Sequence, residues 1–242
     1  MASLANQYQK KTDKEHILDN PDTYIGSIEN VDGPMYILEN STIISKHIEY
    51  NPGLFKLFDE GIVNCRDHVV RMIQKKSEDE NTNLVNQIHI EISNNKISLM
   101  NNGDGIDIEK HPTYDIWIPE MIFGHLRTST NYDKNEEKIT GGKNGFGFKL
   151  VLIWSTYGKI ETIDAKRKLK YSQEFENNLD IIHKPNITKC SKKPYTKVEF
   201  IPDYKRLGLN ELSKDMISLF HRRVYDIAGI TTKDVKVKLN EE

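Results

Sequence analysis

The chain has 242 residues, of which 37% are hydrophobic and 29% charged, a composition typical of a globular protein with a buried core. Its 34 Lys and Arg nearly balance 36 Asp and Glu, so the molecule as a whole attracts nucleic acid only weakly and any role with DNA is expected to be indirect. No secretory signal and no run of roughly 20 apolar residues is present, so we expect an intracellular protein that does not enter a membrane.

The first predicted elements are an arm and two helices. Residues 1–12 are polar and predict an extended arm that becomes ordered only against a partner. Residues 13–20 predict a short helix that ends before Pro21. In residues 53–76, apolar residues recur at steps of three and four, which is typical of a helix with one buried face.

A hairpin and two further helices are predicted in the middle of the chain. Residues 87–93 and 96–100 alternate as half-buried strands do, with a tight turn between them. Residues 116–125 and 147–155 have helical patterns. The polar segment 127–142 between them is too long for a simple connection, which predicts a loop that binds a ligand.

The last third of the chain predicts more sheet and a final helix, which makes the fold class α+β. Strands are expected at residues 159–165, 169–174 and 196–201, and an amphipathic helix at 209–228. Residues 235–239 begin another strand, and we expect a domain boundary just before it.

The long helix has a polar face opposite its apolar stripe. At about 100° per residue, one arc of the helix collects Glu60, Asn64, Asp67, His68 and Arg71. The local pattern alone favours a solvent-exposed surface, because charged residues usually mark the wet side of a helix. A functional face is the alternative reading.

Two glycine-containing segments are candidate ligand sites. Residues 101–106, NNGDGI, follow a strand, and an amide there both donates and accepts hydrogen bonds, which suits an adenine edge; a plain turn is the alternative. Residues 141–149, GGKNGFGFK, run into a helix, whose N–H groups favour phosphate. Phe148 stands where the Walker A pattern requires Lys, and no βαβ unit opens here, so the two commonest nucleotide folds are excluded.

The order of these motifs resembles the GHKL ATPase superfamily, which is shared by gyrase, heat-shock chaperone, histidine kinase and mismatch-repair proteins. Within it, the chain is similar to eukaryotic type IIA DNA topoisomerases through the words YQKKT, PDTYIGS, FDEGIVN, TSTNYD, TGGKNGFG and YDIAG. The resemblance implies a two-layer α/β sandwich with helices packed on a mixed β-sheet. It also implies an N-terminal arm at 1–12, the ATPase domain at 13–232 and the start of a truncated transducer domain at 233–242.

The resemblance further implies roles for individual residues. Glu60 is the expected general base for the water that attacks the γ-phosphate, Asn64 holds Mg²⁺ against the triphosphate, and Asn101 reads the adenine amino group. The residues implied at ribose and phosphate are Ser129, Thr130 and Asn131. The implied phosphate-wrapping loop consists of Gly142, Lys143, Asn144, Gly145, Phe146, Gly147, Phe148 and Lys149. Thr196 is expected behind the adenine, with Ile106, Ile122 and Phe123 as apolar walls, and Tyr8 is expected to reach from the arm into the partner's site.

The function implied is that of an ATP-binding and ATP-hydrolysing gate, which dimerises on binding Mg-ATP and acts on DNA through domains that this chain lacks. The sequence does not distinguish a nuclear enzyme from one that is encoded by a virus and acts in the host cell or is carried in the virion. His68 stands where the family usually has asparagine; it either contacts phosphate or is a plain helix residue. One alternative is a non-hydrolytic dimerisation module, against which Glu60 argues because binding alone does not need an acid at the γ-phosphate. The other is a chaperone or mismatch-repair ATPase, against which Asn101, the YQKKT arm and the word PDTYIGS argue.

Overall fold

The structure, a computed structural model, describes residues 11–93, 95–126, 128 and 147–240. Its helices are α1 Asp13–Asp19, α2 Pro21–Tyr24, α3 Pro52–Glu78, α4 Ile118–Gly124, α5 Gly147–Ile153 and α6 Lys214–Gly229. Its strands are β1 Val31–Glu39, β2 Thr42–Tyr50, β3 Gln87–Ile92, β4 Ile97–Asn102, β5 Ser155–Asp164, β6 Leu169–Glu176, β7 Ile181–Ile182, β8 Asn186–Lys189, β9 Tyr195–Pro202 and β10 Lys236–Leu239.

Eight of the described strands form one mixed sheet. Their order is β10-β3-β4-β9-β5-β6-β7, with β8 also paired to β6. The β10–β3 pair is parallel and the others are antiparallel. The central strand β4 therefore carries the 101–106 segment at its C-terminal end, between β3 and β9.

Helices α3, α4, α5 and α6 form the second layer. The long helix α3 contacts α5, α6 and β4, and α5 contacts β5 and β9. Phe58 of α3 stacks on Phe220 of α6 with ring centroids 4.2 Å apart, and both rings are fully buried. The predicted two-layer α/β sandwich on a mixed sheet is confirmed.

Most predicted elements are present with small shifts in their ends. The short first helix begins after Thr12, which forms a capping box with Glu15. The last helix begins later than the pattern predicts, because the Ser213 side chain accepts a hydrogen bond from the Met216 N–H and caps it there. Among the described residues, no helix is both long and apolar enough to cross a membrane.

Several features at the edges of the fold were not predicted, among them the short strands β7 and β8. The β1–β2 hairpin packs on α6, outside the main sheet. The strand β10, expected to open a second domain, pairs with β3 and extends the main sheet. The division at residue 232 thus does not coincide with a break in the sheet, and it stays a prediction.

The sheet face opposite the helices carries compensated charge. Lys159 lies 3.2 Å from Glu174 and Lys170 lies 2.7 Å from Glu161, each across the β5–β6 pair. Lys197 of β9 lies 3.2 Å from Glu199. On this face each of these three lysines therefore has a carboxylate beside it.

Candidate functional site

A cavity of about 190 Å³ lies between α3, α4 and the inner face of the sheet. Asn64, His68 and Arg71 from the polar side of α3 line it. Asp67 on the same side is buried, and Asn64 and His68 are half-buried. The solvent-exposed reading is therefore wrong for Asn64 and His68, because the sheet and α4 enclose a space in front of them, and for Asp67, which is buried. Arg71 lies at the mouth of this space and is exposed.

The long helix comes unusually close to the sheet beside the cavity. A Cβ on Gly61 would lie 2.3 Å from the Leu99 Cδ1 atom of β4. Only glycine allows this approach without displacing the leucine side chain. The spacing between α3 and β4, and hence the cavity width, is set at this contact.

Glu60 and Asn64 lie one turn apart on α3 and are joined by a hydrogen bond. The Asn64 Nδ2 group donates to the main-chain oxygen of Glu60 over 2.6 Å. The Glu60 Oε1 atom is 2.6 Å from Lys56 Nζ, and Oε2 lies 3.6 Å from the position of a Cβ on Gly147. The predicted base, the predicted magnesium ligand and the start of α5 therefore lie together beside the cavity, which Asn64 lines and Glu60 does not.

Asn101 and Thr196 are direct partners in the β4–β9 register and both line the cavity floor. Asn101 is buried, and its Nδ2 group donates to the Asn102 carbonyl over 3.1 Å. Among the described residues, its Oδ1 atom has no hydrogen-bond donor. An amide oxygen is thus left as an acceptor on a buried cavity wall.

Thr162 of β5 is a site residue that the sequence reasoning missed. Its hydroxyl accepts from the Ile106 N–H at 3.0 Å, donates to the Tyr195 carbonyl at 3.1 Å, and lies 3.0 Å from Thr196 Oγ1. Because the proton of Thr162 goes to Tyr195, the Thr196 hydroxyl donates to Thr162 and keeps its own lone pairs free to accept. The sequence did carry one signal for this role, because the alternation of the predicted strand places Thr162 on its inward side.

The turn that follows β4 depends on two glycines. Gly103 has φ +100°, a conformation in the left-handed region that favours glycine. A Cβ on Gly105 would lie 2.0 Å from the Ile163 carbonyl oxygen. The turn is therefore pressed against β5, which places Ile106 on the cavity wall.

His68 connects α3 to this turn. Its Nε2 atom lies 2.9 Å from the Asp104 carbonyl, and because a carbonyl only accepts, Nε2 carries the proton. Burial, assisted by the positive charge of Arg71, lowers the pKa of His68 from 6.5 to about 4. The ring is thus neutral at physiological pH, with Nδ1 as an acceptor.

We expect the stability of the protein to fall as the pH drops below about 6.5. The unfolded chain takes up a proton on His68 near pH 6.5, whereas the folded chain does so only near pH 4. Between pH 7.5 and pH 5 the free energy of unfolding therefore falls by about 1 to 2 kcal/mol. Urea unfolding at both pH values should show the loss, and His68→Gln should remove it.

The matched control for this experiment is His47→Gln, whose side chain is 66% exposed. This variant should keep the same dependence of unfolding free energy on pH as the unchanged protein. If His68→Gln and the unchanged protein lose equal stability at pH 5, His68 is not the group responsible.

Aromatic and aliphatic side chains close the remaining side of the cavity. Ile106, Ile122, Phe123 and Phe148 all line it. The predicted roles of the first three as walls of an adenine pocket, and of Phe148 in a phosphate-wrapping loop, stay predictions. Phe123 of α4 meets Phe148 of α5 edge to face, with ring centroids 5.5 Å apart. The cavity is thus apolar around a few polar groups, which is the usual composition of a small-molecule site.

Lys149 is buried behind this wall. Its Nζ atom donates to the Thr128 carbonyl over 2.8 Å, and burial lowers its pKa to about 8. This bond joins α5 to the end of the segment after α4. The predicted contact of Lys149 with nucleotide stays a prediction.

Several predicted site residues lie outside the described residues. They are Tyr8, Ser129, Thr130, Asn131, Gly142, Lys143, Asn144, Gly145 and Phe146. Their roles stay predictions.

Comparison with curated proteins finds close relatives. The chain is 47% identical to DNA topoisomerase 2 of Acanthamoeba polyphaga mimivirus, over 99% of this chain and 19% of that protein. It is 46% identical to DNA topoisomerase 2 of Arabidopsis thaliana, over 98% of this chain and 16% of that protein. The chain thus spans less than a fifth of the length of these relatives. No family model matches it.

Solved structures give the same result. The ATPase region of Saccharomyces cerevisiae topoisomerase II superposes with a TM-score of 0.89 at 44% identity, covering 98% of this chain and 61% of that one. The ATPase and transducer domains of topoisomerase II from Balamuthia mandrillaris superpose with a TM-score of 0.87 at 38% identity, covering 98% and 60%.

The fold and its cavity define a domain of the GHKL type, with helices on one face of a mixed sheet. The comparisons specify the branch. The chain belongs to the topoisomerase II family and corresponds to the ATPase region of that family. The resemblance inferred from the sequence motifs is confirmed.

Proposed function

We propose that this chain binds Mg-ATP in the cavity between α3 and the sheet and hydrolyses it. The observation that carries the proposal is the pairing of Asn101 with Thr196 on the cavity floor, below the polar side of α3. The acceptors on the floor would meet the base, and Glu60 and Asn64, beside the start of α5, would meet the phosphates.

Adenine recognition is assigned to the floor of the cavity. The amino group of adenine is a donor, and the Oδ1 atom of Asn101 and the lone pairs of Thr196 are acceptors on a buried surface. Ile106, Ile122 and Phe123 provide apolar contact for the faces of the ring. A base that presents a carbonyl instead of an amino group would leave these acceptors unpaired, which favours adenine over guanine.

The residues beside the start of α5 fit a magnesium triphosphate. Because Asn64 uses Nδ2 on the Glu60 carbonyl, its Oδ1 atom is left as an oxygen ligand of the kind that Mg²⁺ prefers. Within the described ranges, no group of three or more His, Cys, Asp or Glu side chains could hold a metal. Phosphate oxygens and waters would therefore supply the other ligands, and the ion would neutralise phosphate charge.

Glu60 is assigned as the general base. Its Oε1 atom is held by Lys56, which leaves Oε2, the oxygen that faces Gly147, to orient and polarise the attacking water. A carboxylate beside a triphosphate does not help binding, because both are negative. The position of Glu60 therefore favours a protein that hydrolyses ATP over one that binds ATP only to join two subunits.

The proposal extends to the rest of the family mechanism. Residues 129–131 and 142–149 would contact ribose and phosphates, and Tyr8 would reach into the partner's site in an ATP-dependent homodimer. In a full-length protein, this closure would couple hydrolysis to the passage of one DNA duplex through another. The cell compartment would be the nucleus, or the host cell or virion for a viral protein.

Calorimetric titration with a non-hydrolysable ATP analogue and Mg²⁺ tests the site. Asn101→Ala should weaken binding about 10- to 100-fold, because a buried hydrogen bond to the base is lost. Asn101→Asp keeps an acceptor at the same place and should bind within about fivefold of the unchanged protein. Equal affinity of Asn101→Ala and the unchanged protein would place the base elsewhere.

Light scattering of the same samples tests the dimer. A nucleotide-dependent doubling of mass is expected. If nucleotide binds and the mass stays that of a monomer, then closure needs residues beyond this chain.

A further inference from the structure

Two stretches near one edge of the main sheet carry only basic charge. Residues 165–173 contain four Lys and Arg, and residues 181–198 contain five Lys, and neither stretch has an Asp or Glu. The whole chain has a net charge of −2, so this bias is local. Such a patch has an electrostatic field of its own within a Debye length of about 8 to 10 Å.

Strand pairing brings the two stretches together. Leu169 of β6 is the register partner of Lys189 of β8, and the Cys190 N–H donates to the Lys168 carbonyl over 2.8 Å. A groove of about 390 Å³ lies at this junction. Lys168 and Lys189 line the groove, and Lys192 and Lys193 follow directly after its last lining residue, Ser191. We call these four exposed lysines the lysine rim.

The lysine rim differs from the lysines on the nearby sheet face. Lys159, Lys170 and Lys197 each have a glutamate within 3.2 Å. By contrast, no member of the lysine rim forms an ion pair with any residue that the structure describes. Positive charge is thus neutralised on the sheet face and left uncompensated on the rim.

Arg167, which also lines the groove, is already engaged. It lies 2.8 Å from Asp164 and 3.4 Å from Asp107, and it also pairs with Glu109. Its planar guanidinium is therefore not available for the bidentate recognition of a partner's carboxylates. What the groove offers outward is a set of flexible point charges.

We propose that the lysine rim binds the phosphate backbone of double-stranded DNA. Flexible ammonium groups without a fixed geometry suit sequence-independent phosphate contacts. The groove suits an acidic protein partner less well, because a stable protein interface needs a buried apolar anchor. The apolar side chain that lines the groove is Leu169, which is half-buried. The proposal does not depend on the nucleotide site.

Fluorescence anisotropy with a labelled duplex of about 20 base pairs, at salt from 50 to 200 mM, tests the proposal. Replacing all four rim lysines by Gln should weaken binding at 50 mM salt at least about tenfold. It should also lower the slope of log K against log salt by about 3 to 4, since each phosphate contact contributes about 0.9.

The matched control replaces four other exposed lysines, Lys205, Lys214, Lys233 and Lys236, by Gln. It removes the same charge and should leave affinity and salt slope close to those of the unchanged protein. Equal loss in both variants means that net charge and not the rim attracts DNA, which overturns the proposal. The proposal is also overturned if the unchanged protein does not bind duplex at 50 mM salt. It is likewise overturned if the protein binds an acidic peptide, poly-glutamate, and does not bind duplex.

Both variants must be folded for the comparison to count. Thermal unfolding followed by circular dichroism should give midpoints near that of the unchanged protein, because all eight side chains are exposed. Titration with the ATP analogue should be unchanged in both, which separates failure of this proposal from failure of the proposed nucleotide site.

Discussion

Glu60→Gln is expected to slow ATP hydrolysis by at least about a hundredfold, and up to about ten-thousandfold, while binding of an ATP analogue stays within about threefold. Glutamine is nearly isosteric and keeps an oxygen for the Lys56 contact, which is 2.6 Å long in the structure. It cannot accept a proton from the attacking water. Only transition-state stabilisation is removed, so the rate falls and the affinity does not.

Phosphate release under single-turnover conditions, with protein in excess over ATP, measures this rate even when turnover is slow. The control is Asp59→Asn, which removes a neighbouring carboxylate on α3 that points to Arg223 at 2.6 Å. It should leave hydrolysis within about fivefold of the unchanged protein. Lost affinity with an unchanged rate per bound nucleotide would refute the role of Glu60. The resemblance implies slow hydrolysis without a complete transducer domain, so the non-hydrolytic dimerisation module would be favoured by a longer protein that includes this domain and binds ATP without hydrolysing it.

Local patterns predicted the elements well because each pattern has a local cause. The apolar stripe of α3 and the alternation of β3 and β4 are short-range signals, and the structure has both elements close to their predicted bounds. The polar side of α3 was ambiguous for the same reason. Periodicity identifies a second face but does not say whether water or another part of the chain covers it.

The contacts that build the site are long-range and could not be predicted in this way. Asn101 and Thr196 become neighbours only through the β4–β9 register, and Thr162 joins them through the β5–β9 register. The family resemblance supplied Asn101 and Thr196, since it carries positions from known proteins. It did not supply Thr162, whose role follows from hydrogen bonds to Ile106 and Thr196.

The β1–β2 hairpin shows a different limit. Its first strand contains Gly33 and Pro34, which favour a turn when the sequence is considered alone. In the structure Pro34 pairs with His47 in a two-stranded ribbon outside the main sheet. Proline is tolerated there because an edge position does not require its missing N–H.

Gly105→Ala is expected to destabilise the protein by about 3 kcal/mol or more, because the new Cβ would lie 2.0 Å from the Ile163 carbonyl oxygen. Backbone cannot rotate away as a side chain can, so the turn after β4 must move off β5. That movement breaks the Ile106 N–H bond to Thr162, which is 3.0 Å long, and shifts the cavity wall. The midpoint of thermal unfolding should fall by about 6 to 12 °C.

The matched control is Gly33→Ala on β1, where a Cβ would meet nothing within 4 Å. This variant should change the unfolding free energy by less than about 1 kcal/mol, because no contact opposes the methyl group. Affinity for the ATP analogue, measured well below the unfolding midpoint of each variant, should fall for Gly105→Ala and stay constant for Gly33→Ala. If Gly105→Ala is less stable but binds the analogue normally, the turn is a structural support and does not shape the nucleotide site.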